Sequence, residues 1–475
     1  MHKFAKLFEP RSVAIIGASA TPGKGGNIIL SSMIQHKFTG KIYPVNPKES
    51  KILGLKTYSS LKQIPGEVDL VIVSVPSQFV KDILKECITK KVSIALLITA
   101  GFSDAGKEGE ILQKEITALA KRGGLRLIGP NSIGIANPFN GLVASLVPFP
   151  TWKKGTIAFA AQSGVLAGSI SQYAMEEEDF GVGKTIGLGN SADLDGVDMI
   201  DYFLEDKKTT TLGIYLETIR DIDRLIKAAS NFAKKKPLVM AKSGSTSRGA
   251  FAASCHTGSK RVNERLVKRM FKLSGAIRAS GWTEMFDFTK AFDREPLPKG
   301  PRVGIMTLSG ASGVLATDAV VKSKLVMAPL TEKTKKIIKE KVYLSWQKFN
   351  HLAPIDVWAS LLGKDAEFVQ ETTLKTLMRD ETVDSVLAIL LAVGPAIFDP
   401  KRVFSEARAI NPEKPLVAAV LGDAAITRDW LRKLDEAKVT AFGTLAATER
   451  AVQALSALYL RKLYLDGASK KSRSD

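Results

Sequence analysis

Three times along the chain a β-branched apolar run passes through a glycine- and serine-rich loop into a helical pattern. The segments are SVAIIGASATPGKGGNIIL from Ser12, GTIAFAAQSGVLAGSI from Gly155 and PRVGIMTLSGASGVLATDAV from Pro301. Each reads as a buried strand bending sharply into a helix. Units of this kind open parallel α/β domains, so the fold class is α/β. Further strands follow each one: KIYPVN, DLVIVSVP, IALLITAG and LRLIGPN, then TLGIYLE and PLVMAKSG, then SVLAILLAV and PLVAAVLG. Pro-rich stretches from Asn137 to Gly155 and from Asp293 to Pro301 read as linkers. The expected domains are 1–138, 152–292 and 301–460, with 461–475 a basic tail that frays.

Composition narrows the chemistry. Two Cys and four His leave no material for a disulfide scaffold, a multi-cysteine metal site or a His-rich centre, so no metal site is expected. No apolar stretch approaches the roughly 18 residues of a membrane span, and the N-terminus lacks a signal-peptide core. The expectation is a cytoplasmic protein with no membrane partner. The net charge of +20 favours anionic ligands. Only 7% of residues are aromatic and none interleave with the basic runs, so a nucleic-acid partner is not expected.

The loops suit anions. In Gly17-Ala18-Ser19-Ala20-Thr21-Pro22-Gly23-Lys24-Gly25, small residues let backbone approach a phosphate at a helix N-terminus. A nicotinamide-dinucleotide site wants a carboxylate after the second strand. Here that place reads Val45-Asn46-Pro47-Lys48. A lysine suits a phosphorylated ribose, as in coenzyme A or NADP. The second loop, Ala160-Ala161-Gln162-Ser163-Gly164, fits a single phosphate at a helix start, with a plain strand-to-helix turn as the other reading. The third, Ser309-Gly310-Ala311-Ser312-Gly313, has no charged neighbour and reads as structural. Gly183-Lys184-Thr185 ends like a nucleotide P-loop, but Glu178 stands where the first glycine belongs.

His256 lies among small and polar residues in Ala252-Ala253-Ser254-Cys255-His256-Thr257-Gly258-Ser259, which reads as an accessible, mobile loop. A neutral imidazole is nucleophilic near pH 7 and can accept a phosphoryl group; a helix-capping surface histidine is the other reading. Glu217 ends the strand Leu212-Gly213-Ile214-Tyr215-Leu216, where a carboxylate faces the ligand crevice and can orient an imidazole.

The motifs GASATPGKGG, YPVNPK, ITAGF, GPNSIGI, AQSGVL, GLGNSADLD, YLET and SCHTGS occur in the order found in NDP-forming acyl-CoA synthetases. The chain resembles their α subunit over nearly its full length, and is similar to the α subunit of succinyl-CoA synthetase. The resemblance implies an N-terminal Rossmann-like CoA-binding domain followed by two flavodoxin-like domains of the succinyl-CoA synthetase type. It implies the reaction acyl-CoA + phosphate + ADP = acid + CoA + ATP, through an acyl phosphate and a phosphohistidine. His256 matches the phosphorylated residue and Glu217 its support. Gln162, Ser163 and Gly164 match the phosphate site. Gly17, Ser19, Lys24, Asn46, Lys48, Val75, Pro76 and Asn131 fall where the family holds CoA. ADP or ATP and Mg2+ would sit on a separate ATP-grasp β subunit, in an α2β2 assembly. The chain departs from the family pattern at Ala161, Ser132, Cys255 and Ala353. A CoA-binding protein of the same fold without chemistry is the alternative reading.

Overall fold

The computed structural model describes residues 2–177, 181–244, 246–257, 263–348 and 354–471. His351 and Ala353 lie outside these. The chain forms two compact units, one of residues up to Met175 with Gly181–Trp282, the other from Thr283 onward.

The first unit holds two sheets. One is five parallel strands in the order Lys41–Val45, Ser12–Ile16, Leu70–Val73, Ile94–Leu97, Arg126–Ile128. Ser12–Ile16 is buried along its whole length, as a near-continuous apolar run in a covered parallel sheet should be. The chain leaves this strand to one side and returns to the other, so a switch point opens beyond Ile16 and Val73.

The second sheet has seven strands in the order Ile277–Ala279, Leu238–Lys242, Thr211–Leu216, Lys154–Ala161, Val182–Gly187, Gly134–Asn137, Leu142–Ser145. The first five are parallel and the last two form an antiparallel hairpin on the edge. The segment expected to link the domains is therefore partly strand. All eight residues of the two hairpin strands are buried, and the apolar ones explain why the segment leaves solvent. Asn137 and Asn140 both donate to the Phe8 carbonyl, at 2.9 and 3.0 Å, and anchor the N-terminal segment. A second switch point lies between Lys154–Ala161 and Thr211–Leu216.

Lys184 is buried within a strand of this sheet and pairs with Asp206 at 2.9 Å and Glu9 at 3.1 Å. Its ammonium is held by these carboxylates within the fold.

The second unit is built on a parallel sheet ordered Val326–Met327, Arg302–Thr307, Ser385–Ala392, Leu416–Gly422, Thr440–Gly443, with Ile355–Asp356 paired to Arg302–Thr307. The helix Trp282–Arg294, expected with the second domain, is tied here through Asp287 and Arg450 (2.7 and 2.9 Å). The last helix runs Ala447–Lys471, so most of the expected frayed tail is helical. Arg461 is buried, and Lys462 pairs one turn ahead with Asp466 at 2.5 Å. Among the described residues, no helix is long and apolar enough to cross a membrane.

Candidate functional site

The first switch point carries an open cleft of about 550 Å³, walled by Gly23, Gly25, Ser74, Val75, Pro76 and Thr99 among others. Gly17 turns the chain off its strand at φ +87°, and a Cβ there would stand 2.3 Å from the Ser74 carbonyl oxygen. Only glycine fits both constraints. Asn46 donates Nδ2 to the Ala18 carbonyl (2.9 Å) and accepts the Lys48 N–H (2.8 Å), tying the two loops together. Ser19 is buried, and its Oγ accepts the Thr21 N–H at 3.1 Å. These two expected ligand residues therefore shape the loop from within. Lys24 and Lys48 stand exposed beside it. Asn131 is exposed in the left-handed region (φ +58°), its N–H bonded to the Thr99 carbonyl at 2.8 Å. Ser74 and Thr99 were not singled out by sequence reasoning, because nothing but the tertiary fold brings those strand ends to the glycine loop.

At the second switch point Gln162 is buried and fully engaged. Its Oε1 accepts the N–H groups of Glu217 (2.6 Å) and Thr218 (2.8 Å). Its Nε2 donates to Thr218 Oγ1 (2.6 Å) and Ser191 Oγ (3.2 Å). The side-chain amide of this expected phosphate residue is therefore spent on partners within the protein. The amide is a bracket that holds the Ser163–Gly164 turn against the Glu217–Thr218 turn. Ser163 and Gly164 remain partly exposed at the start of the following helical segment, where unpaired N–H groups favour an anion. Gly164 approaches Ile133 so closely that a Cβ would meet that side chain at 3.3 Å.

Glu217 is 9% exposed. Tyr215 donates its hydroxyl to Glu217 Oε1 at 3.4 Å, and burial raises the phenol's pKa. Lys242 donates Nζ to the Glu217 carbonyl at 2.9 Å and to that of Ser243. Burial pushes its ammonium pKa down while the Glu217 charge opposes the shift. The carboxylate thus sits in a dry, polar setting, which strengthens its hold on a cation or N–H donor.

His256 occupies the penultimate position of the helix Ser247–Thr257; its side chain and residues 258–262 lie outside the described part. The segment was expected to be a loop. It is helical because Ala250, Ala252 and Ala253 favour a helix and Thr246 Oγ1 accepts the Gly249 N–H at 3.0 Å as a cap. This helix packs against the turn Ser103–Ala105 of the first domain, directly after the Thr99–Ala100 wall of the cleft. At the third glycine loop Ser309 Oγ accepts the Ser312 N–H (3.3 Å) and caps its helix.

Comparison with known proteins bears on this geometry. Residues 11–138 match the family model "CoA binding domain" and residues 154–292 match "Succinyl-CoA ligase like flavodoxin domain". The α subunit of ADP-forming acetate–CoA ligase II from Pyrococcus furiosus is 38% identical over 87% of this chain and 88% of its own. The α subunit of isoenzyme I from the same organism is 34% identical over 95% and 96%. ADP-forming acetate–CoA ligase II of Archaeoglobus fulgidus is 37% identical, but this chain spans 57% of its length. A solved structure of dinucleotide-forming acetyl-coenzyme A synthetase 1 from Ca. Korarchaeum cryptofilum, in complex with phosphate and ADP, superimposes with TM-score 0.88 at 30% identity, covering 98% of both chains.

Proposed function

This chain belongs to the ADP-forming acetate–CoA ligase family, and from that premise we propose that it is the α subunit of an acid–CoA ligase that works through a phosphohistidine on His256. The observation that carries the reading is the Gln162 bracket, which ties a phosphate-ready helix start and the Glu217 carboxylate to the same end of one parallel sheet. The three expected domains then divide the labour: CoA on the first, phosphate and histidine on the second, and a third in support.

Acyl-CoA enters the first cleft with its pyrophosphate against the Gly17–Gly25 loop and its ribose phosphate beside Lys48. Lys24 adds charge, Val75 and Pro76 wall the cleft, and the thioester points toward Asn131. Inorganic phosphate rests on the N–H groups of Ser163 and Gly164. A phosphate oxygen attacks the thioester carbon; the C–O bond forms, the C–S bond breaks, and CoA leaves as a thiolate that takes up a proton. The His256 imidazole then attacks phosphorus and expels the acid as its carboxylate. Glu217 accepts the other imidazole N–H and offsets the positive ring. Finally ADP takes the phosphoryl group from nitrogen. The family places that nucleotide, with its Mg2+, on an ATP-grasp β subunit, and the α-subunit names of the two Pyrococcus furiosus relatives support a partner subunit. The α2β2 assembly and a cytoplasmic setting belong to the same reading.

Labelled phosphate tests it. Incubated with partner, acetyl-CoA and phosphate but no ADP, the chain should carry an acid-labile, base-stable label on His256, and His256→Ala should carry none. Full turnover by His256→Ala would end the proposal. CoA binding without phosphate exchange under any acid would assign a binding protein instead.

A further inference from the structure

Two loops of the first unit are tied by side chains that no step above uses. Asn190 follows the strand Val182–Gly187 of the second sheet. Its Nδ2 donates to Asp104 Oδ1 at 2.9 Å and to Gln113 Oε1 at 3.0 Å, both on the first domain. Those acceptors in turn shape one turn. Asp104 takes the N–H groups of Gly101 (2.9 Å) and Phe102 (3.1 Å), and Gln113 Oε1 takes the Ser103 hydroxyl (3.0 Å). That turn continues Thr99 and Ala100, which wall the CoA cleft.

The other end of the connection reaches the phosphate loop. The N–H of Asn190 bonds the Pro130 carbonyl (2.9 Å), beside Asn131. Its neighbour Ser191 accepts from Gln162 at 3.2 Å, and Gln162 brackets Ser163 and Glu217. Hydrogen bonds and peptide links together therefore run from the cleft wall through Asp104, Asn190, Ser191 and Gln162 to the phosphate turn.

The chemistry of the pair is specific. An amide offers two protons on one nitrogen, and here each meets a different oxygen. A carboxylate acceptor makes one of those bonds charge-assisted. Burial works against ionisation of Asp104, but the Gly101 N–H and the Asn190 amide outweigh it and hold the carboxyl below its ordinary range. Aspartate at 190 would set two carboxylates face to face, and an aliphatic residue would leave both acceptors without their donor.

We propose that Asn190 is a positioning residue for the acyl-transfer step, clamping Asp104 and Gln113 so that the thioester held by one domain meets the phosphate held by the other. The inference rests on the function proposed above. Neither ligand touches Asn190; the clamp acts on the separation between two preformed sites. Attack geometry is steep in that separation, and a displacement of about 1 Å can lower a rate roughly a hundredfold.

The test separates the two half-reactions in the assembled enzyme. Asn190→Ala should lower kcat for acetyl-CoA phosphorolysis by at least about tenfold. The KM for acetyl-CoA and the phosphorylation of His256 by ATP through the partner should stay within about twofold. Asn190→Asp should be no better, because its carboxylate would face Asp104 and Gln113 Oε1 with no proton to give either. A merely structural role predicts equal loss in both half-reactions, and that result overturns the clamp. A readout free of activity runs alongside. CoA should slow amide exchange of residues 188–192 in the wild type and fail to do so in Asn190→Ala. Should the wild type show no phosphorolysis, the proposed function fails, and this exchange difference alone then upholds the clamp or, if absent, sinks it.

Discussion

Gln162 shows how one side chain can organise a site without touching what the site binds. Its four hydrogen bonds join turns that are 55 and 56 residues apart in sequence. Gln162→Leu strands the N–H groups of Glu217 and Thr218 in a buried place, at a cost of about 1–3 kcal/mol each. Gln162→Glu keeps both acceptances and turns the donations to Ser191 and Thr218 into contacts those hydroxyls can reverse. We expect Gln162→Leu to abolish His256 phosphorylation with a lower melting temperature, and Gln162→Glu to retain much of both. Equal behaviour of the two variants, measured by labelling and thermal denaturation, would remove the bracket from the argument. At this scale the sequence shows residue type and little of role. Gly17 was legible because a strand-to-helix turn demands a positive φ. Gln162 and Asn190 were not, since their partners come from strands and loops that only the finished sheets bring near.

Elements were legible where apolar periodicity is strong. The three opening strands and their partners fall where the β-branched runs stand. The hairpin Gly134–Asn137 and Leu142–Ser145 escaped because prolines and asparagines around it read as linker. The helix Ser247–Thr257 escaped because small residues carry no hydrophobic stripe, so its only signals were alanine content and a threonine cap. That cap is testable: Thr246→Ala removes the acceptor for Gly249 and should cost about 1 kcal/mol locally. Amides of 249–257 should exchange severalfold faster while those of Leu238–Lys242 do not change; unchanged exchange in the helix would deny the cap any role. In the second unit Lys414 caps a helix end, donating Nζ to the carbonyls of Leu377 (3.1 Å) and Asp380 (2.7 Å). Burial pushes its amine down to about 8, against the opposing charges of Asp380 and Asp384. The folded chain thus releases this proton near pH 8, while the unfolded chain keeps it to about 10.5. Between those values the unfolded state binds more protons, so this group's contribution to stability rises with pH. Relative to Lys414→Gln, wild-type stability against urea should climb from pH 8 to 10 and run parallel below pH 7. A parallel course throughout would show that Lys414 titrates normally.

At the scale of the molecule, the order of parts predicts where the chemistry can be divided. The CoA cleft, the phosphate turn, Glu217 and the histidine helix all belong to one compact unit. In the proposed mechanism every bond change up to the phosphohistidine draws on that unit alone, whereas the last transfer draws on a nucleotide held by the partner. The chain without partner should therefore take label from phosphate in the presence of acetyl-CoA, stop at no more than one phosphoryl group per chain, release a matching amount of CoA, and be indifferent to ADP. Addition of an ATP-grasp subunit should convert that single event into continuous ATP formation. The net charge of +20 makes the approach of an acidic partner faster at low ionic strength, so the onset of turnover after mixing should slow as salt rises while the single-chain labelling does not. ATP made by the chain alone would mean that the nucleotide site lies within these two units, and the division between subunits would be lost. Label that appears only after the partner is added would mean that the histidine reaches phosphate only in the assembly, which would shift the dependence on the partner one step earlier along the reaction.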